Sequence, residues 1–187
     1  MTRARLASGN ANKLRELRAA LPDWRIELLD PDGAYPPEDG ATYLDNARIK
    51  ASFGRALAAP DEWVLGEDSG IEVEALGGRP GVESARWAQG REAEKLVDTL
   101  GDAANRRARY VCELVALAPD GRELRGTGVL EGEIARELRG EGGFGFDPVF
   151  VPLGETRTVA ELGDGWKTKH SHRARAAHAL AAALAAR

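Results

Sequence analysis

Apolar residues recur along this chain in two periods, and the changes from one to the other outline its secondary structure. Arg3–Ala7 reads as a short strand, followed by Ser8-Gly9-Asn10 and then by Leu14, Leu17, Ala20 and Leu21 at helical spacing. Trp24–Leu29 predicts a second strand. Asp30-Pro31-Asp32-Gly33 and Pro36-Pro37 mark a loop, and Thr42–Ala58 returns to a helical pattern. A parallel βαβ pairing is expected of these first elements. Trp63–Gly66 and Ile71–Leu76 predict strands on either side of Glu67-Asp68-Ser69-Gly70, which reads as a polar turn leaving a hydrophobic layer.

Further on, Gly77–Gly81 is a loop, and Glu92–Leu100 is a short helix with Ala93, Leu96, Val97 and Leu100 on one side. Ala108–Ala118 and Glu123–Ala135 predict two long strands paired antiparallel through the turn Pro119-Asp120-Gly121. Gly140–Pro148 reads as a glycine-rich loop, Val149–Val151 as a brief strand and Val159–Leu162 as a helical turn. Ser171–Arg187 is an alanine-rich helix with Ser171 as its N-cap. Parallel and antiparallel strands mixed with helices predict an α/β fold around a mixed sheet. No internal repeat or linker divides the chain, so one domain is expected over residues 1–187.

Composition narrows the function classes. A formal net charge of −4 over 187 residues gives no general reason to seek nucleic acid, although a local basic cleft suits a small polyanion. No apolar run is long enough to cross a bilayer, and the first residues lack the apolar core of a secretory signal, so a cytoplasmic protein without a membrane partner is expected. Cys112, the single cysteine, lies among Tyr110, Val111, Leu114 and Val115 and reads as a buried strand residue rather than a nucleophile.

Several segments carry candidate chemistry. Ser8-Gly9-Asn10-Ala11-Asn12-Lys13 brings backbone N–H groups, a hydroxyl, an amide and a lysine to the start of a helix, a place that attracts phosphate; an ordinary cap with a solvated lysine is the alternative. Glu38, Glu67 and Asp68 stand where the hydrophobic pattern breaks off. Such carboxylates suit magnesium, which uses few protein ligands, and one of them could take a proton from an attacking water. Lys50 lies one helical turn beyond Asn46, so both project from the same side.

Gly140-Glu141-Gly142-Gly143-Phe144-Gly145 has the Gly-x-Gly-x-x-Gly spacing of dinucleotide-binding folds. However, Phe146-Asp147-Pro148 and another strand follow it instead of a helix, which argues against that use. A loop presenting Phe144 or Phe146 to a base, with Asp147 for hydrogen bonding, fits better; phenylalanines capping the core are the alternative. Lys167-Thr168-Lys169-His170-Ser171-His172-Arg173 puts cationic groups at the expected start of the last helix, against the macrodipole, which points to a ligand supplying negative charge or acceptors. His170 and His172 lack convincing further ligands beyond the distant His178, which argues against zinc.

Taken together, these segments resemble the inosine triphosphate pyrophosphatase family, the non-canonical purine nucleoside triphosphate pyrophosphatases. The likeness is carried by Ser8-x-Asn10-x-x-Lys13; Glu38; Asn46-Ala47-x-x-Lys50-Ala51; Asp68-Ser69-Gly70; Pro80-Gly81-Val82-x-Ser84-Ala85-Arg86; Gly142–Pro148; and Lys167 with Ser171-His172-Arg173. The resemblance implies an elongated mixed sheet with flanking helices in two lobes around a nucleotide cleft, usually as a homodimer. It implies Mg²⁺-dependent cleavage of inosine or xanthosine triphosphate, or dITP, to the monophosphate and pyrophosphate.

In that reading the substrate is bound by Ser8, Gly9, Asn10, Ala11, Asn12, Lys13, Lys50, Ser69, Phe144, Gly145, Phe146, Asp147, Lys167, His172 and Arg173. Glu38 and Asp68 place the metal, and Asp68 is the general base. A 6-carbonyl oxygen on the purine would be met by Arg173 and helix-start N–H groups, which disfavours adenine. Three departures from the family pattern are Glu67 in place of an aspartate, Phe146 in place of a common tyrosine, and a short Trp87–Glu92 segment. The rival readings are a septum-inhibition-type pyrophosphatase and a nucleotide sensor without catalysis.

Overall fold

The computed structural model describes residues 1–30, 34–88 and 90–186. Pro31-Asp32-Gly33 of the expected loop, Gln89 of the short segment and the terminal Arg187 of the expected last helix lie outside the described residues. In chain order the elements are β1 (Thr2–Leu6), α1 (Ala11–Ala20), β2 (Trp24–Leu28), α2 (Tyr43–Leu57), β3 (Trp63–Val73), α3 (Ser84–Trp87), α4 (Glu92–Leu100), β4 (Arg107–Leu117), β5 (Glu123–Ile134), β6 (Phe150–Pro152), α5 (Val159–His170) and α6 (His172–Ala185). The strands form a six-stranded mixed sheet in the order β2-β1-β3-β4-β5-β6.

The expected βαβ unit is present: β1 runs parallel to β2, with Leu6 opposite Leu28, and parallel to β3, with Leu6 opposite Leu65. β5 and β6 are antiparallel, Ile134 facing Phe150. β4 and β5 are neighbours closed by the Ala118 N–H donating to the Arg122 carbonyl at 2.8 Å, a connection far too short for a parallel crossover.

The chain forms two compact units. The first is Met1–Asp68, Cys112–Gly128 and His172–Arg187; the second is Ser69–Val111 and Val129–Ser171. Each has its own core. In the first, Leu6, Leu17, Trp24, Ile26, Leu65, Leu114 and Leu180 pack together, with Trp24 and Trp63 in an edge-on contact of 5.5 Å. In the second the core holds Ile71, Leu96, Tyr110, Ile134, Phe146 and Phe150.

Three expectations change. Glu67-Asp68-Ser69-Gly70 is no turn: β3 runs unbroken through it. The strand continues because its backbone groups still need sheet partners whatever the side chains are, and the buried carboxylates are paired as described below. Second, the expected helical turn Val159–Leu162 is present and is broken at Gly163, whose φ of 77° and ψ of 179° are not helical, but a further helical stretch that was not expected follows it and completes α5. Third, Lys167, Lys169 and His170 therefore lie in the last turn of α5, where the macrodipole favours cations, and not at the start of the last helix. Ser171, extended at φ −61° and ψ 156°, closes α5 and stands immediately before α6, which begins at His172, in the N-cap position expected of it. The helix α3 was not expected from the pattern.

Candidate active site

The first unit builds a buried charge cluster from three helices and one strand. α2 starts with a capping box, in which the Thr42 N–H donates to Asp45 Oδ2 at 3.0 Å and the Asp45 N–H to Thr42 Oγ1 at 3.1 Å. Its buried residues are Tyr43, Asn46, Ala47, Lys50, Ala51 and Gly54, so beyond the first turn two polar side chains share a face with small ones. Small residues let the helix lie close to β3. A Cβ at Gly66 would collide with the Ala47 carbonyl and stand 2.6 Å from the Ala51 nitrogen. That close approach is what brings Lys50 and Asn46 to the carboxylate following Glu67.

Lys50 Nζ lies 2.8 Å from Asp68 Oδ1 and 2.9 Å from Glu38 Oε1, and donates to the Glu67 carbonyl at 3.1 Å. Asn46 Nδ2 donates to Asp68 Oδ2 at 3.2 Å. Glu67, fully buried, faces a different set of partners: Lys13 Nζ at 2.7 Å from Oε2, and Arg173 at 3.1 Å and the Cys112 thiol at 3.4 Å from Oε1. Arg173 also pairs with Glu16 Oε2 at 2.5 Å. Both Glu16 and Arg173 are buried on the core-facing stripes of α1 and α6, two helices that pack together.

The two adjacent carboxylates have opposite electrostatics. Burial pushes Glu67 up, but Lys13, Arg173 and Lys50 outweigh it and hold the carboxyl well below the usual range. For Asp68 burial prevails over Lys50, and with Glu67 nearby the carboxyl rises above its ordinary value. Burial opposes the charge on Lys50, yet Asp68, Glu67 and Glu38 more than offset it and raise that ammonium. The same contest at Arg173 is won by Glu67 and Glu16. Burial, reinforced by Glu67, drives the Cys112 thiol well up, so it stays protonated, in keeping with its expected packing role.

The Ser8–Lys13 segment is ordered by its own side chains. Asn10 is the N-cap of α1, its Oδ1 accepting from the Asn12 N–H at 2.9 Å and the Lys13 N–H at 3.2 Å, and Ser8 Oγ accepts the Asn10 N–H at 3.1 Å. These N–H groups were expected to be free for phosphate and already have acceptors, because an N-cap side chain satisfies the donors a helix start exposes. Gly9 and Ala11 are exposed beside them. At the other end of the chain, His172 is buried in the first turn of α6, where β5 comes so close that a Cβ at Gly128 would strike the His172 carbonyl.

The second unit holds the remaining candidates. Ser69, in β3, is half-buried. Asp147, 4% exposed, organises the glycine-rich loop: Oδ2 accepts the Phe144 N–H at 2.9 Å and the Lys167 ammonium at 2.6 Å, and Oδ1 accepts from the Tyr110 hydroxyl at 3.3 Å. Gly143 is required here, with φ 75° and a Cβ position that Asp147 Oδ2 would overlap. Lys167 Nζ also sits 4.8 Å from the centre of the Phe144 ring. Of the two loop phenylalanines, Phe146 is buried in the core against Trp87 at 6.4 Å, whereas Phe144, like Gly145, is only half-buried.

Pattern reading missed Glu16, Tyr110 and the pairing of Glu67. Glu16 had a visible signal: it shares the stripe of Leu17 and Ala20, where a charged residue needs a buried partner.

The molecule is thus a mixed α/β sheet whose first unit buries a cluster of mutually paired lysine, arginine and carboxylate groups. The chain belongs to the Ham1 family, whose model matches residues 4–183. It is 43% identical over 187 residues to a dITP/XTP pyrophosphatase of Bdellovibrio bacteriovorus, covering 94% of each chain. Among solved structures, the Staphylococcus aureus Ham1 protein matches with a TM-score of 0.83 at 35% identity, covering 99% of each chain. A nucleoside-triphosphatase, dITP/XTP pyrophosphatase, from Mycobacterium abscessus matches at 0.72 and 37% identity, covering 99% of this chain and 97% of the other. No described helix is long and apolar enough to cross a membrane.

Proposed function

We propose that this protein hydrolyses non-canonical purine nucleoside triphosphates, dITP, ITP and XTP, to the monophosphate and pyrophosphate, with Asp68 as the general base. The substrate class is supported by the relatives' activity and by family membership. The observation that carries the mechanism is the setting of Asp68. Lys50 and Asn46 hold one carboxylate oxygen each, and the neighbouring Glu67 is locked as an anion between Lys13 and Arg173. Each carboxylate oxygen has two lone pairs, so Asp68 keeps acceptor capacity for a water. Asp68 takes a proton from that water, its oxygen bonds to the α-phosphorus, and the bond to the β-phosphate oxygen breaks, releasing pyrophosphate. Lys13 and Lys50 supply positive charge to the phosphates.

The donor set fits Mg²⁺. Glu38 and Asp68 converge on one ammonium, and magnesium is typically held by one or two carboxylates together with waters and substrate phosphates. Among the described residues no group of three or more His, Cys, Asp or Glu forms a self-sufficient metal cage, which such an ion does not require. When bound, magnesium supplies charge neutralisation on the phosphate oxygens and acidifies a bound water. At the base end we assign Phe144, with its partly exposed ring, together with Lys167, Asp147 and His172. A homodimer is part of this proposal.

The test is pyrophosphate release from inosine, xanthosine, guanosine, adenosine and modified pyrimidine triphosphates, with Mg²⁺ and with chelator. Magnesium-dependent pyrophosphate release favouring ITP and XTP is expected, and Asp68→Asn removes nearly all of it while nucleotide binding persists. Undiminished turnover by that variant would refute the assignment.

A further inference from the structure

Asn46 is fully buried although it is polar, and its amide is divided between two partners. Nδ2 donates to Asp68 Oδ2 at 3.2 Å, while Oδ1 accepts the Gly40 N–H at 2.8 Å. A carboxylate only accepts and a backbone N–H only donates, so a side chain with both functions is needed, in one orientation. The second bond belongs to the segment that carries Glu38, two residues before Gly40. Packing there is equally tight: a Cβ at Gly40 would stand 2.7 Å from Asn46 Oδ1 and 2.9 Å from its backbone nitrogen. Crowding against Asn46 and against Asp45 Cβ, also 2.7 Å away, rather than a left-handed backbone, is therefore what a side chain at position 40 would meet.

We infer that Asn46 is a positioning residue that clamps the Glu38 segment to Asp68, so that the two carboxylates keep a set spacing about the shared Lys50 ammonium. The inference rests on the reading of Asp68 as the base. Without the amide, Asp68 loses one of the two groups orienting its carboxylate, and the segment bearing Glu38 loses its anchor. Removing an orienting partner of this kind lowers activity by about 10–100-fold. The loss falls on kcat rather than KM, because Asn46 holds groups that act in the transition state.

The experiment measures ITP hydrolysis with Mg²⁺, together with amide hydrogen exchange at Gly40, in wild type, Asn46→Ala, Asn46→Asp, Gly40→Ala and the Gly40→Ala/Asn46→Ala double variant. Asn46→Ala is expected to lose both turnover and Gly40 protection. Asn46→Asp, assayed at about pH 9 to keep the new carboxyl charged, keeps the acceptor for Gly40 but faces Asp68 with a second anion. It retains Gly40 protection and loses kcat. The double variant loses less than the product of the two single effects, because both changes break one clamp, while the part due to the new methyl group meeting Asp45 Cβ and the backbone nitrogen at position 46 persists. The inference is overturned if Asn46→Ala keeps kcat within about twofold of wild type, or if the two single effects multiply in the double variant, as independent sites do. If Asn46→Ala does not fold, an unchanged kcat in Gly40→Ala overturns it. An inactive wild type would instead count against the proposed activity, and exchange at Gly40 would still report on the clamp.

Discussion

Replacing Glu67 by glutamine exposes the central electrostatic bargain of the first unit. The wild-type carboxylate is fully buried, with Lys13 at 2.7 Å and Arg173 at 3.1 Å. A glutamine of the same shape removes the anion and turns an N–H₂ donor towards one of those cations. Taking one partner from a buried ion pair costs about 3–5 kcal/mol, since the other is left charged and desolvated. With two cations affected, the upper part of that range is expected. The sign of the pH dependence follows from the depressed carboxyl. Its stabilisation is fully present above the unfolded value of 4.5 and is lost as pH falls through the lower folded value. Urea unfolding of wild type and Glu67→Gln should therefore show a gap that is constant at neutral pH and narrows below pH 4.5. A gap under about 1 kcal/mol at neutral pH, the size of an exposed pair, would refute the reasoning. So would a gap that does not narrow on acidification.

Three further outcomes test other parts of the structure. Gly66→Ala drives a methyl group into the Ala47 carbonyl, so urea unfolding should show a loss of about 1–3 kcal/mol and assays a fall in kcat as α2 moves Lys50 away from Asp68. Arg173→Ala should lower turnover of ITP more than of ATP if its guanidinium reads the 6-carbonyl; equal losses would confine it to holding Glu16 and Glu67. Arg48→Ala removes a pair with Glu123 in which the side chains are 50% and 35% exposed, and denaturant midpoints should barely move.

The elements that could be read from the sequence are those whose signal is local. Periodicity located α4 at the observed bounds and both long strands to within a residue, because Leu96, Val97 and the alternating residues of β5 answer only to their own helix or strand. The reading of β3 failed for a physical reason. A run of Glu, Asp, Ser and Gly ordinarily signals a turn, since isolated carboxylates belong in water. Here the partners that make their burial tolerable come from α1, α2 and α6, and no local window contains them. The same blindness hid the second part of α5: Gly163 does end the helical turn that begins at Val159, but the helical stretch beyond it, with Gly165 in its first residues, has no clear local signal.

The candidate site shows the same division at closer range. Lys50 and Asn46 were placeable on one face because they are four residues apart on one helix. Arg173 and Glu16 are separated by 157 positions, and only the packing of α1 on α6 brings them together. Pattern alone gave Arg173 a ligand-facing role, because a cation near a helix start looks unsatisfied; in the folded chain two carboxylates satisfy it. Glu67 is the converse case, a residue read from the pattern as a carboxylate for a metal or a proton and as a departure from the family, which becomes the hub of the buried cluster. Its longer side chain reaches between Lys13 and Arg173 and leaves Lys50 and Asn46 to Asp68. Two adjacent carboxylates alternate across the strand and so meet different cations. This alternation separates a Glu67 held ionised well below the usual carboxylate range from an Asp68 whose carboxyl is raised, and it exists only because β3 does not turn.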